Sequence, residues 1–248
     1  MEKTFWDHLD ELRAVLIRCL IAWAVCAAAM FCFRDILFAV LFAPASPDFI
    51  TYRLIDRLLG QGWSGDASTV SFINTQLSAQ FTVHLRVAAL MGLVVAFPFL
   101  IGQAYGFVAL ALYPKEKRAA ARIIGFGTLL FLGGVALNYF VIFPFAFRFL
   151  ATYQVQPQVV NQIALDSYVS TFLILSLMMG ILFELPLVVW ALGKAGLIRA
   201  AWLKRYRRHA LVALLIIAAV ITPTGDAFTL LLVTLPLYLL YELSIRLV

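Results

Sequence analysis

Hydrophobic runs dominate the pattern, and their lengths set the architecture. Val15–Phe33 is broken only by Arg18, 87–113 and 123–147 carry no charge, and 167–192 has one, at Glu184. Each is long enough as a helix to cross a hydrocarbon core of about 30 Å at about 1.5 Å per residue. Two later runs, 210–221 and 227–241, reach only about 18 and 22 Å as helices. They predict a hairpin or a crossing of locally thinned bilayer, and either puts the C-terminus on the same side. The expected fold is therefore all-α and polytopic: one transmembrane domain over 1–248 with six helices, the fifth and sixth short.

Between these runs the polar pattern predicts shorter elements. Residues 4–13 form an amphipathic helix lying in the interface, with Thr4 and Asp7 as a capping box and Phe5, Leu9, Leu12 and Leu16 on one face. Residues 36–82 form an outer cap holding Pro44, Pro47 and the glycine-rich stretch "GQGWSGD". On either side, "ITYRLIDRLL" and "FINTQLSAQFTVHL" have helical spacing, the second with Ile73, Leu77, Phe81 and Leu85 four apart. A second outer loop, 148–166, carries Pro157. No internal repeat is visible, and neither outer loop is large enough for a domain of its own.

Composition agrees: 64% of the 248 residues are hydrophobic and 13% charged, with a mean hydropathy of +0.97. A soluble domain is about half apolar and a quarter charged. Charge placement gives the orientation. With the N-terminus in the cytoplasm, fourteen of the nineteen Lys and Arg residues lie inside, and only Arg34, Arg53, Arg57, Arg86 and Arg148 lie outside. Both termini are thus expected to be cytoplasmic. The net charge of +6 then needs no nucleic-acid partner. Acids before the first run, and its length, argue against a cleaved signal despite Ala27, Ala28 and Ala29. Cys19, Cys26 and Cys32 show no metal or disulfide pattern and read as small packing residues.

A few residues break the local rules. Glu11 and Glu116 put carboxylates among inner basic residues; either they make local ion pairs, or they form a receptor for a cationic peptide. Arginine suits such a receptor, because its planar fork binds a carboxylate bidentately and lysine cannot. Glu184, in "FELP", is the one acid deep in a span. It is a candidate proton or ion site, or a dock for a polar residue of a partner helix. Asp226 in "TPTGD" fits an N-cap. "GWSG" resembles the Gly-x-Ser-Gly of rhomboid proteases. Ser64, however, lies in an outer loop, His209 is on the inner side and His84 at a helix entry, so a turn is the reading adopted and no catalytic residue is assigned. No zinc or phosphate-loop motif is present, and no metal or cofactor is expected.

"HLDELR" at 8–13 resembles the N-terminal motif of the TatC family, the multispanning core of the twin-arginine protein translocase. The resemblance continues through "FAP" at 42–44, "GFVALALYPKEKR", "YFVIFPFAFRFL", "FELP" and "ITPTGDAFT". It implies that Glu11 and Glu116 bind twin-arginine signal peptides of folded cargo, with His8, Leu9, Leu12 and Arg13 of the first motif and Phe107, Leu112 and Tyr113 lining the site. It also implies docking of single-span TatA-type and TatB-type partners near Glu184, with Thr222, Asp226 and Phe228 as further polar or docking positions, and a place for Pro44 in the outer cap. Where the family often has Asp-x-Phe-x-Gln, this chain has Asp226, Phe228 and Leu230. The implied protein is a non-enzymatic subunit of the bacterial inner membrane, homo-oligomeric in its receptor complex and driven by the proton-motive force. The rival expectation is a proton- or ion-coupled transporter built around Glu184.

Overall fold

The computed structural model describes residues 5–60, 71–112, 117–154, 156 and 161–247, with side chains described outside 5–8, 59 and 108–122. The first helix, α1 (Phe5–Cys32), runs without interruption for 28 residues. The separate interfacial helix expected over 4–13 is therefore corrected: it is the first part of α1. The stretch contains no Gly or Pro, so nothing breaks its ladder of hydrogen bonds. Thr4, the expected cap, lies outside the described residues.

The chain then folds over the end of the bundle as α2 (Arg34–Phe42), a 3₁₀ turn at Ala43–Ala45 and α3 (Ile50–Leu59). α3 matches the first expected cap helix; the second, expected over 72–85, is helical only from Ala79, where it is the start of the long helix that follows. Instead Phe72–Ile73 (β1) pairs in parallel with Ile163–Ala164 (β2), tying together the two loops expected on the outer side. Asn74 accepts the Gln76 N–H through its side chain at 3.3 Å, an Asx-type turn that diverts the backbone from a helix. Helix α4 (Ala79–Leu112) begins only after it, and Leu77 is left fully exposed.

α1 packs along α4 in antiparallel fashion. The Trp23 indole N–H donates to the Ala89 carbonyl at 2.9 Å, and the Phe31 ring stacks on His84 at 3.9 Å. A Cβ at Gly92 would fall 2.5 Å from the Ala27 backbone. With little hydrophobic drive between helices in lipid, such small-residue contacts set how closely they approach. Elsewhere α1 is bare: its apolar window is 0% buried, which a chain in water would not tolerate but one in a bilayer would.

The third span is α5 (Lys117–Leu137), one π turn at Asn138–Ile142 and α6 (Phe143–Thr152). Pro144 cannot donate to the Phe140 carbonyl four residues back. Thr51 of α3 donates its hydroxyl to that carbonyl instead. The fourth span is α7 (Leu165–Phe183) and α8 (Leu185–Lys194), broken at Glu184. A short α9 (Ala200–Arg205) leads into α10 (Arg207–Ile221) and α11 (Ala227–Leu247).

Among the described residues, six segments are long and apolar enough to cross a membrane. One of them, Arg34–Leu58, is cut by the turn at Pro44 into two helices of 9 and 10 residues, too short to span separately. α10 falls below that length at 15 residues, but it returns antiparallel against α11. α11 is longer than the apolar run implied, at 21 residues. Its polar end is accommodated because Arg207 meets Glu242 at 2.8 Å and the Ser244 hydroxyl bonds back to the Leu240 carbonyl. Among the described residues the bundle is thus built from six helical segments, α1, α4, α5–α6, α7–α8, α10 and α11. Its core joins the cap to them through Leu37, Leu41, Val87, Phe143, Val169 and Leu237.

Candidate functional site

At the end of the bundle where α1 begins, α4 also ends and α5 starts. Counted from the Trp23–Ala89 bond, Glu11 lies about 18 Å along α1, toward that end. Leu9 is exposed, Leu12 and Glu11 are partly buried, and Arg13 is exposed. Phe107 is partly buried on the last turns of α4. Glu116 and Tyr113 lie outside the described residues, as do the side chains of His8 and Leu112. The described backbone therefore brings the start of α1, the end of α4 and the start of α5 together as a lip at this end of the bundle, with Glu11 on the α1 side.

The second polar position is deeper. Pro186 cannot donate to the Leu182 carbonyl, and the helix tightens locally, the Glu184 N–H bonding to the Ile181 carbonyl at 3.1 Å. This break separates α7 from α8 and turns the Glu184 side chain toward α5. Room comes from Gly127, where a Cβ would lie 3.2 Å from Glu184 Oε2 and 2.1 Å from Ile101 Cδ1. Neither carboxyl oxygen is accessible; the Phe131 backbone N–H of α5 approaches the carboxyl, but among the described residues neither oxygen has a partner at full hydrogen-bond geometry. Its hydrogen-bonding capacity is largely unfilled, a costly arrangement for a buried carboxyl.

Glu184 stands at one end of a seam that sequence reading missed. Gly127, Phe131 and Gly134 of α5 and Asn138, which opens the π turn, follow one another at steps of four, three and four, one helix face. A Cβ at Gly134 would lie 2.4 Å from the Met179 carbonyl, and one at Gly180 would lie 2.6 Å from the Phe131 ring. Phe131 also stacks on Phe97 of α4 at 3.6 Å. At the far end, fully buried Asn138 donates to Ser176 Oγ at 2.8 Å. Small residues at that spacing were the available signal.

Thr222, Asp226 and Phe228 are at the opposite end of the bundle from the lip. The Thr222 hydroxyl is buried and bonds back to the Ala218 carbonyl at 3.0 Å. Asp226 caps α11, accepting the Thr229 N–H at 2.6 Å and the Thr224 hydroxyl. Burial raises its carboxyl, but these hydrogen bonds outweigh it and hold the group below the usual carboxylate range. Phe228 stacks on Phe149 of α6 at 4.5 Å. Thr224, Thr229 and Ser167, at the start of α7, line one hollow of about 360 Å³. Glu184 is 19 residues along from the first residue of α7, about 28 Å. The structure therefore separates these three residues from Glu184.

Pro44 is buried in the cap. Its carbonyl accepts the Tyr52 hydroxyl at 3.1 Å, and that hydroxyl also lies 2.9 Å from the Pro144 carbonyl. Burial pushes the Tyr52 phenol up to about 12, against the opposing pull of Arg148, whose guanidinium sits 5.4 Å from the ring centre. The "GWSG" stretch with Ser64 lies outside the described residues.

Comparison with known proteins places this geometry. Residues 7–236 match the family model for TatC, the Sec-independent protein translocase protein. The TatC protein of Blattabacterium sp. subsp. Periplaneta americana is 34% identical over 252 residues, covering 98% of this chain and 94% of its own length. That of Deinococcus radiodurans is 33% identical over 244 residues, covering 97% and 83%. A crystal structure of the twin-arginine translocase receptor TatC in the detergent DDM superposes with a TM-score of 0.80 at 31% identity, covering 97% of this chain and 98% of that one. With its six helical segments, capped end and broken fourth segment, this chain belongs to the TatC family of Sec-independent protein translocase proteins.

Proposed function

We propose that this protein is the signal-peptide receptor of a twin-arginine translocase in a bacterial inner membrane, with both termini in the cytoplasm. The inner lip takes the paired arginines of a cargo's signal peptide. Glu11 and Glu116 supply the two carboxylates, and His8, Leu9, Leu12, Arg13, Phe107, Leu112 and Tyr113 surround the rest of the motif. One observation carries the reading: a chain matched to the family over 7–236 has the start of α1, the end of α4 and the start of α5, which flank Glu116 in sequence, at the same end of the bundle. Two acids far apart in sequence then face one basic tag. Each guanidinium can take a carboxylate through two parallel hydrogen bonds, and an ammonium cannot.

Glu184 serves a different contact. Its buried oxygens, largely unfilled, suit a polar group on an incoming single-span helix of the TatA or TatB kind, and homo-oligomers of this subunit gather such partners into one complex. The chain supplies binding and assembly and no reaction chemistry, and the proton-motive force supplies the energy.

The test is peptide binding to the purified protein in detergent. Glu116→Lys weakens a twin-arginine peptide by about tenfold or more and a twin-lysine peptide much less. Equal losses for both would reject a bidentate site. The same Glu184 oxygens would also suit a proton- or ion-coupled transporter. Flux into liposomes carrying this chain without partner helices would favour that alternative.

A further inference from the structure

At the capped end of the bundle, a hollow of about 480 Å³ opens between α2 and the start of α4. Its walls are Phe38, Phe42 and Phe81, and its polar groups are Arg34, Gln80 and His84. Three observations bear on its occupant. Arg34 is exposed, and among the described residues no carboxylate pairs with it. His84 stacks on Phe31 and leaves a buried Nε2 with no hydrogen-bond partner. The surrounding surface is largely apolar: Phe33, Ile36, Phe81 and Leu85, the last two one turn apart on α4, are all exposed, and the exposed Asp35 next to Arg34 is the acid of this stretch.

The depth of the hollow narrows the choice. Arg34 follows directly on the apolar run of α1, and Gln80 and His84 precede the uncharged run of α4 that begins at Val87. The polar groups therefore sit at the edge of the hydrocarbon core, where phospholipid phosphates lie. A lipid of the adjacent leaflet rests against the exposed Phe33, Ile36, Phe81 and Leu85 and so meets these groups without leaving the membrane. Volume fits a headgroup with its glycerol, being within the range of small-molecule pockets.

We infer that this hollow is a binding site for one anionic phospholipid of the adjacent leaflet. The Arg34 guanidinium donates to the phosphate, with the Gln80 amide and the His84 Nε2–H as further donors, and an acyl chain lies along Phe81 and Leu85. The site is at the opposite end of the bundle from the peptide lip and does not depend on it.

Native mass spectrometry of the full-length protein, loaded with phosphatidylglycerol and stripped by detergent, tests this. One phosphatidylglycerol per chain is retained by the wild type. Its affinity falls about tenfold in Arg34→Gln and in His84→Phe, which keeps a ring on Phe31. Arg53→Gln, on the cap beside Asp48, leaves retention unchanged. Unchanged retention in Arg34→Gln overturns the site, and this variant decides alone if His84→Phe does not fold. Equal retention of dioleoylglycerol overturns it too, because the phosphate would not be read. Displacement by inorganic phosphate alone would make it a free-anion site, and the lipid assignment would fail.

Discussion

Asp226 caps α11 through its bond to the Thr229 N–H, and the charged form is the better acceptor. The depressed folded value fixes the sign of its pH effect. Its contribution is fully present above the pKa of an unfolded aspartate and is lost as the pH falls through the lower folded value. Asp226→Ala should cost about 1 kcal/mol, the usual worth of an N-cap, and Asp226→Asn much less. Thermal unfolding in detergent at neutral pH checks this, and the gap between wild type and Asp226→Ala should narrow below about pH 4. A neutral-pH loss in Asp226→Asn as large as in Asp226→Ala would contradict the capping role. This residue was legible in advance, because a cap acts through its own next turn. The partners of Phe228 were not, since Phe149 is brought beside it only by packing.

The cap is held at the scale of whole elements. Helix α2 ends with carbonyls that have no partner in its own ladder, as every helix does. Three tyrosine hydroxyls from other elements meet them or the turn that follows. Tyr139 bonds to the Val40 carbonyl at 3.0 Å, Tyr168 to that of Leu41 at 2.8 Å, and Tyr52 to that of Pro44. All three lie in buried or half-buried surroundings, so deleting one hydroxyl leaves a carbonyl without a partner. Tyr168→Phe should cost about 1–3 kcal/mol, seen as a lower melting temperature and faster proteolysis between α2 and α3. An unchanged melting temperature would show that this bond contributes nothing. Sequence spacing exposed α3 as a helix because its face repeats locally. It gave the wrong answer for 71–78, where the helical spacing of Ile73 and Leu77 is overridden by the Asn74 turn and by pairing with Ile163 and Ala164. Amphipathic spacing is a necessary condition for a surface helix, and a strand partner ninety residues away is invisible to it.

For the whole molecule, the charge asymmetry expected from the positive-inside rule sets the field in which the proposed receptor works. An exposed inner lip that binds arginine through carboxylates should lose affinity for a twin-arginine peptide severalfold as ionic strength rises from about 0.01 M to about 1 M. Over that range the Debye length shrinks from about 30 Å to about 3 Å. A salt-independent affinity, measured by titration of a labelled peptide, would leave apolar contacts as the main attraction. The chain by itself determined the number of spans and the expected inner and outer ends, because hydrocarbon thickness and charge asymmetry are tests that each segment passes alone. It also marked Glu184 as out of place, since a carboxyl in an apolar run is costly whatever surrounds it. Only the tertiary structure decided that α5 gives Glu184 room at Gly127, that Glu184 and Asp226 lie at different levels of the bundle, and that Arg34 and His84 share a hollow. These are relations between helices, set by which small residues let backbones approach, and no single helix encodes its neighbour.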